Sequence, residues 1–264
     1  GSFNVKKVDE VTCIIAIANQ KGGVAKTTTA INLGTGVAAE GKRVLLIDLD
    51  PQGNATTGSG IDKSEADAGV YDVLTESAII RAVRVISPTS GYDVLTANQH
   101  LAGAEVELVG VNGRETILKR ALESVTDDYD FVFIDCPPAL SLLTINGLTA
   151  ANYVIIPMQC EYYALEGLTD LVDTIKRIKS YLNPDLAIGG LVRTMFDGRS
   201  SLSQQVSDQL DTHFGDKLFK TVIPRNVRVA EAPSHGLPVL VYDKMSKGAI
   251  AYRSLSTEFL TRFT

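Results

Sequence analysis

A glycine-rich segment at residues 21–28 constrains the fold of this chain more than any other feature of its sequence. It follows an apolar run at residues 14–18, which suits a buried parallel strand, and it precedes a helical pattern over residues 29–40. A glycine turn that leads into a helix collects backbone N–H donors at the positive end of the helix dipole. The order of strand, turn and helix therefore predicts a phosphate-binding loop.

The residues of this loop have roles that follow from their chemistry. Backbone N–H groups would surround the phosphates of a nucleotide, Lys26 would reach the β and γ phosphates, and the Thr27 hydroxyl would bind Mg²⁺. The predicted nucleotide-binding residues of the loop are Lys21, Gly22, Gly23, Val24, Ala25, Lys26, Thr27 and Thr28.

The beginning of the loop departs from the usual pattern G-x-x-x-x-G-K-[ST]. Gln20 holds the position of the first glycine, and a second lysine, Lys21, begins the loop. A loop with two lysines resembles the deviant Walker A family, which includes ParA and MinD. This resemblance implies ATP and Mg²⁺ as cofactors and an ATP-bound homodimer. It also implies that Lys21 crosses the dimer interface to the nucleotide of the other subunit, so that hydrolysis requires dimerisation.

Ala25 is a second departure, because both loop patterns have glycine directly before the lysine. A methyl group there lies where backbone and phosphate approach each other, and glycine would also relieve backbone strain. We hypothesise that Ala25 weakens ATP binding or hydrolysis. The chain begins Gly1-Ser2, which looks like the remnant of a cleaved tag, so an engineered substitution at position 25 is one explanation. Residues 1–12 are predicted to be this remnant and an N-terminal extension.

Three aspartates are expected at strand ends beyond the loop. Asp48 and Asp50 close a predicted strand over residues 43–48, and Asp135 closes another over residues 131–135. Carboxyl ends of strands border the ligand crevice of open α/β sheets. Asp135 would hold Mg²⁺ through water beside Thr27, and Asp50 would orient or deprotonate the attacking water. In the alternative reading, all three aspartates only cap strands.

The sequence around Asp50, D-x-D-P-Q-G-N, looks like switch I of the same family. The resemblance implies that the later aspartate, Asp50, supports hydrolysis together with Lys21 and Lys26. Asp48 is then either structural or a neighbour of the magnesium ion.

Apolar strands and amphipathic helices alternate along residues 13–264, without a linker rich in Pro, Gly or Ser. This alternation predicts one α/β domain with a mostly parallel, doubly wound sheet flanked by helices, the architecture of P-loop NTPases. Three cysteines, with no C-x-x-C spacing, argue against a zinc site and against a disulfide framework. No signal peptide or membrane-spanning stretch is visible, which predicts a cytoplasmic protein.

The C-terminal quarter differs in charge from the rest of the chain. The net charge is −6, yet residues 197–264 carry +2 and residues 1–196 carry −8. Residues 159–167 and 222–234 resemble ParA/Soj partition ATPases. That resemblance implies that Pro224 and Asn226 line the base pocket and that Arg199 and Arg228 bind DNA without sequence preference. The same face could include further cations, namely Lys247 and, with less support, Lys220, Lys244 and Arg253.

The resemblance predicts a chromosome or plasmid partition ATPase whose ATP-sandwich dimer binds DNA and is released on hydrolysis. A ParB-type centromere-binding protein would stimulate hydrolysis, and the protein would associate with the nucleoid. One alternative is a MinD-like ATPase that cycles on membranes, although residues 256–264 have little of the positive charge that a membrane-binding helix needs. Another is a nucleotide-poor, non-hydrolysing variant because of Ala25. Ligases and reductases with this loop are disfavoured by the absence of cluster-binding cysteines.

Overall fold

The computed structural model describes residues 11–23 and 25–264. Eight strands within these residues form one sheet in the order β3-β4-β2-β5-β1-β6-β7-β8, and all neighbours are parallel except the β3–β4 pair. The mostly parallel sheet that the sequence predicts is confirmed. The strands are β1 (Cys13–Ile17), β2 (Val44–Asp48), β3 (Val85–Ile86), β4 (Asp93–Leu95), β5 (Phe131–Asp135), β6 (Tyr153–Gln159), β7 (Ala187–Phe196) and β8 (Leu218–Pro224).

Helices connect the strands and cover both faces of the sheet. The longest are α1 (Lys26–Ala39), α8 (Ala164–Tyr181), α9 (Ser201–Phe214) and α12 (Lys247–Phe263). The shorter ones are α2 (Asn54–Gly58), α3 (Val70–Leu74), α4 (Ile80–Val83), α5 (Ala104–Glu107), α6 (Ile117–Leu122), α7 (Leu142–Ala150), α10 (Val227–Glu231) and α11 (Val239–Tyr242).

Alternating strand residues build two apolar cores, one on each face of the sheet. Ile15 and Phe133 point to the face that α1 and α12 cover, and Ala16 and Ile134 point to the face that α6, α7 and α8 cover. A sheet buried on both faces explains why its central strands are continuously apolar. The helices on both sides confirm the predicted doubly wound architecture.

Strand β5 lies between β1 and β2 and sets the register of the candidate site. Asp135 is the register partner of Ile17 on one side and of Asp48 on the other. The loop after β1 and two of the predicted aspartates therefore meet at the carboxyl edge of the sheet. This is the edge at which open parallel sheets bind ligands.

Helix α12 packs its apolar side into the core. Phe259 is fully buried, and its ring centroid lies 5.2 Å from that of Phe131 and 5.5 Å from that of Phe133. Helix α12 therefore places this aromatic side chain inside the protein. Within residues 11–23 and 25–264, the structure contains no helix that is long and apolar enough to cross a membrane.

Several elements were not predicted from the sequence. Edge strand β8 contains Lys220 and Thr221 and ends in a proline, so its pattern does not look like that of a buried strand. Helix α7 is buried on nearly every side and therefore lacks an amphipathic period. The boundary between residues 1–12 and 13–264 stays a prediction, since residues 1–10 lie outside the described part. Thr12 is buried, and its hydroxyl donates to the Tyr129 carbonyl at 2.6 Å.

Candidate functional site

The glycine loop after β1 leaves room for a ligand. A Cβ atom added at Gly22 or Gly23 would meet no atom of the described residues within 4 Å. Gly23 has a φ of +73°, in the left-handed region that glycine adopts without strain. The backbone of the loop is thus exposed to the space above the sheet edge. Val24, also predicted to bind nucleotide, lies outside the described residues.

Ala25 is the residue that caps the N-terminus of α1, and its backbone is left-handed, with φ 60° and ψ 32°. A left-handed conformation costs an L-residue with a Cβ roughly 1 kcal/mol more than it costs glycine. Position 25 therefore favours glycine because of the backbone conformation of the loop itself.

The first turn of α1 is open to an anion. Ala25 makes no capping hydrogen bond from its side chain, and the turn contains no acidic residue. The first N–H groups of a helix have no partner within the helix, and the helix dipole makes this end positive. The first turn of α1, which includes Thr27 and Thr28, can therefore receive phosphate oxygens.

Asp135 joins the two loop side chains predicted to bind phosphate and magnesium. Its Oδ1 lies 3.2 Å from the Lys26 ammonium, and its Oδ2 accepts a hydrogen bond from the Thr27 hydroxyl at 2.7 Å. Lys26 is 8% exposed and Asp135 is completely buried. A lysine, a hydroxyl and a carboxylate are thereby held together beneath the loop.

Asp48 lies beside Asp135 and organises the turn that follows β2. Its Oδ2 accepts hydrogen bonds from the Thr56 backbone N–H at 2.9 Å and the Thr56 hydroxyl at 2.7 Å. Its Oδ1 accepts a hydrogen bond from the Asp50 backbone N–H at 3.1 Å. These bonds favour the structural role among the two that the sequence left open for Asp48.

Burial raises the pKa of both Asp48 and Asp135. Burial, and then the charge of Asp135, raise the pKa of Asp48 to about 7. Burial also raises the pKa of Asp135, against the opposing effect of Lys26. Burial lowers the pKa of Lys26, but the charge and hydrogen bond of Asp135 outweigh it and raise that pKa overall. The site thus keeps its lysine charged and has an excess of carboxylates that a further cation would stabilise.

Asp50 is nearly buried at the start of the turn that contains Gly53. Its Oδ1 accepts a hydrogen bond from the Gln52 backbone N–H at 3.0 Å. Gln52 is itself held from outside, because its carbonyl accepts a hydrogen bond from the Lys63 ammonium at 2.7 Å. The structure therefore places Asp50 at the same sheet edge as Asp48 and Asp135, in a turn fixed at several points.

No group of three or more His, Cys, Asp or Glu side chains in the described part of the chain is arranged to hold a metal ion. Mg²⁺ commonly uses one or two protein ligands and fills its other positions with water and phosphate oxygens. Thr27 and Asp135 are hard oxygen ligands in contact with each other, so their chemistry fits such a partly hydrated ion.

Lys21, predicted to act across a dimer interface, is paired within its own chain. Its ammonium forms an ion pair with the Glu161 carboxylate, which follows β6, and both side chains are partly exposed. The sequence analysis did not single out Glu161 as a partner of Lys21. Only the adjacency of β1 and β6 brings the two residues together.

The predicted base-pocket residues lie after the last strand. Pro224 ends β8, and Asn226 caps α10 by accepting a hydrogen bond from the Val229 backbone N–H at 3.3 Å. Gly248 of α12 packs against this cap, since a Cβ at that position would lie 3.2 Å from the Asn226 Oδ1. The capping bond uses the side-chain carbonyl of Asn226, and contact of this residue with a base stays a prediction.

The predicted DNA-contact residues lie on the same edge of the sheet. Arg225, which follows β8, donates its backbone N–H to the Phe196 carbonyl at 3.3 Å, so the segment after β7 that contains Arg199 adjoins the end of β8. Arg228 lies in α10, and Lys247 begins α12, which packs against α10 at Gly248.

These cations differ from Lys26 in their exposure. Arg199 is 93% exposed and lies 3.3 Å from Asp197, and Arg228 is 53% exposed. Lys247 is also exposed. Pairing at the surface leaves their charges accessible to solvent and to a large partner.

Comparison with known proteins gives consistent matches over nearly the whole chain. A family model described as an AAA domain, AAA_31, matches residues 12–188. The sporulation initiation inhibitor protein Soj of Bacillus subtilis is 54% identical over 245 residues, which span 93% of this chain and 97% of that protein. The chromosome partitioning protein ParA of Caulobacter vibrioides is 52% identical over 251 residues, with 94% of each chain covered.

A solved structure is similar in both sequence and fold. It is described as cobyrinic acid a,c-diamide synthase from Mycobacterium smegmatis, with a bound ATP analogue and magnesium. Its identity to this chain is 41%, its TM-score is 0.82, and the match covers 94% of this chain and 93% of the other.

Proposed function

The chain belongs to the Soj/ParA family of chromosome-partitioning ATPases, and on that premise we propose that it is an ATP-driven switch for DNA partition. Two subunits close around ATP and Mg²⁺, the dimer binds DNA without sequence preference, and hydrolysis releases it. The observation that carries the proposal is the buried group of Lys26, Thr27 and Asp135 beneath an open glycine loop.

The loop would hold the triphosphate through its backbone and Lys26. Residues 22–25 and the first turn of α1 supply N–H donors, and Lys26 turns from Asp135 toward the β and γ oxygens. Thr27 and Asp135 would hold Mg²⁺, which neutralises phosphate charge when bound. The raised pKa of Asp48 and of Asp135 supports this assignment, because burial disfavours the charged form of both carboxylates and a nearby cation would favour it.

Asp50, Lys21 and Lys26 would perform the hydrolytic step. Asp50 orients the attacking water or accepts its proton, and the two lysines stabilise charge on the γ oxygens. Lys21 must leave Glu161 to reach the nucleotide of the other subunit. Dimerisation and hydrolysis are coupled in this way, because the nucleotide pocket of an isolated subunit lacks the Lys21 that a second subunit would supply.

Pro224 and Asn226 would receive the adenine, with the Asn226 amide nitrogen as the donor. Arg199, Arg228 and Lys247 would contact DNA phosphates, which requires charge and reach but no base recognition. A dimer doubles this cationic surface, so binding that is weak in one subunit becomes strong in two. A ParB-type partner would stimulate hydrolysis, and the protein would reside on the nucleoid in the cytoplasm.

Two alternatives from the sequence have less support. A MinD-like membrane cycle needs an amphipathic helix whose apolar side is free, whereas Leu255 and Phe259 of α12 are buried in the core. The second alternative is a ligase or reductase with the same loop. The synthase from M. smegmatis is 41% identical to this chain, whereas the partition relatives are 52% and 54% identical. A specific observation favours the third alternative, a nucleotide-poor variant, because Ala25 has a strained left-handed backbone.

DNA binding in four nucleotide states tests the proposal. We expect tight binding with ATP or its nonhydrolysable analogue in the presence of Mg²⁺, weaker binding with ADP or without nucleotide, and a loss of affinity as salt is raised. Sedimentation under the same conditions should show dimers only with the triphosphate. Equal DNA affinity in all four states would overturn the switch, and vesicle binding in place of DNA binding would favour the membrane cycle.

Phosphate release by the chain with Ala25 and by Ala25→Gly separates the switch from the nucleotide-poor variant. If only the glycine variant hydrolyses ATP in the presence of DNA and partner, the chain as it stands is the non-hydrolysing form.

A further inference from the structure

Arg228 contacts acidic side chains from two segments. Its Nη1 lies 3.1 Å from the Glu231 Oε2, and its Nε lies 3.3 Å from the Asp243 Oδ2. Glu231 is one turn further along α10, whereas Asp243 follows α11. One guanidinium thus bridges two elements that are separate in sequence. We call Arg228, Glu231 and Asp243 the arginine clamp.

Tyr242 positions the clamp from outside. Its hydroxyl donates a hydrogen bond to the Glu231 Oε2 at 2.9 Å, and its ring stacks on that of His235 with centroids 4.9 Å apart. The hydrogen bond from Tyr242, and then the contact with Arg228, lower the pKa of Glu231, so its carboxylate stays charged. The clamp is therefore an oriented cluster rather than a chance contact between two mobile side chains.

We propose that Glu231 and Asp243 compete with DNA phosphate for Arg228 and so limit the affinity of each subunit for DNA. This inference rests on the proposed DNA binding by Arg228 and adds the restraint that acts on it. The two carboxylates take the Nε and Nη1 donors and offset the charge of the guanidinium, so a phosphate gains the full contact with Arg228 only when it displaces them. Exposed ion pairs are weak, so the restraint can be overcome when a dimer supplies many contacts at once.

A comparison with Arg199 indicates how strongly the clamp should limit DNA affinity. Arg199 has one carboxylate neighbour, Asp197, on its own turn, and it is almost fully exposed. Arg228 has two, and one of them is held by a tyrosine. Release of the clamp should therefore change DNA affinity more than release of Arg199 by Asp197→Asn does.

The test measures DNA affinity for Glu231→Gln, which keeps an acceptor for Tyr242 but removes the charge. With the ATP analogue and Mg²⁺ at fixed salt, we expect DNA binding about two- to fivefold tighter than in the native chain, and a similar gain for Asp243→Asn. Asp128→Asn is the matched control. Asp128 is also paired with arginines, Arg81 and Arg84, but it precedes β5 and, among the described residues, contacts none of those proposed to bind DNA. Thermal unfolding of each variant reports whether folding is affected.

A double-mutant cycle with Arg228→Ala shows whether the gain depends on this arginine. The clamp predicts that Glu231→Gln has no effect once Arg228 is absent. An equal gain in the Arg228→Ala background, or an equal gain in Asp128→Asn, would mean that only net charge matters, which overturns the clamp. Unchanged or weaker binding in Glu231→Gln, in a native chain that binds DNA, overturns it as well. Failure of the native chain to bind DNA instead overturns the proposed function.

Discussion

Lys26 and Arg228 are both paired with carboxylates, yet their surroundings are opposite. Lys26 is 8% exposed and contacts a completely buried aspartate, whereas Arg228 is 53% exposed and contacts partly exposed acids. Removing one member of a buried pair costs about 3–5 kcal/mol, because it leaves the other charge buried without a partner. An exposed pair contributes about 0–1 kcal/mol.

This contrast in burial separates two parts of the molecule, the phosphate end around Lys26 and the proposed DNA end around Arg228. The phosphate end, which is the group of Lys26, Thr27 and Asp135, is fixed by direct contacts within one subunit. The proposed DNA end consists of solvated cations whose pairs exchange easily, so its strength depends on how many act together. Variants at the two ends should therefore separate nucleotide binding from DNA binding.

The largest expected effect comes from Lys26→Ala. ATP affinity should fall about 100-fold or more, since a charge-assisted contact to phosphate is lost in a nearly buried site. The free energy of unfolding without nucleotide should also fall by about 3 kcal/mol, because Asp135 stays buried without its cation. Titration with a fluorescent ATP analogue and urea unfolding measure the two effects. Lys179→Ala, an exposed lysine in the last turn of α8, is the control and should change neither.

Arg199→Ala and Arg228→Ala should have the reverse profile. DNA affinity should fall about three- to tenfold in each, and the slope of log affinity against log salt should decrease by about 1. ATP affinity should stay within twofold of the native value, because neither side chain belongs to the phosphate end. Fluorescence anisotropy over a salt series gives both quantities. If Arg81→Ala, at an exposed arginine of α4, weakened DNA binding equally, the assignment of this face would be wrong.

Ala25→Gly tests the phosphate end without removing a charge. Glycine adopts the left-handed backbone of position 25 freely, so we expect a gain of about 1 kcal/mol in loop stability, or about fivefold in ATP affinity. Isothermal titration with ATP and Mg²⁺ measures it. Equal affinity and equal turnover for alanine and glycine would remove the hypothesis that Ala25 impairs the loop.

The smallest expected effect is on the free energy of unfolding, to which the exposed ion pairs of Asp128 contribute in a pH-dependent way. Hydrogen bonds from Arg81, and then from Arg84, lower the pKa of Asp128 to about 2. Because the folded pKa lies below the unfolded value of about 3.9, the pair stabilises the protein above pH 4 and loses this contribution as pH falls toward 2. Asp128→Asn should thus cost about 0.5 kcal/mol at pH 7 and almost nothing near pH 2. Urea unfolding at several pH values checks this, and a constant difference would contradict it.

The amino-acid sequence by itself determined the strands and helices that carry the phosphate end. The apolar run before the loop, the helix after it and the strand that ends at Asp135 follow from local periodicity and from glycine chemistry. These signals are local, since each depends on residues within one element. The deviant Walker A group followed from the same loop, and residues 159–167 and 222–234 narrowed it to the Soj/ParA family, which the relatives confirm.

Only the tertiary structure decided which side chains meet. The position of β5 between β1 and β2 brings Asp48 beside Asp135, and the adjacency of β1 and β6 brings Glu161 to Lys21. The clamp around Arg228 likewise joins α10 to the segment after α11. Strand order and side-chain pairing depend on how distant segments pack against each other. The periodicity within one segment cannot predict them, because it depends only on the residues of that segment.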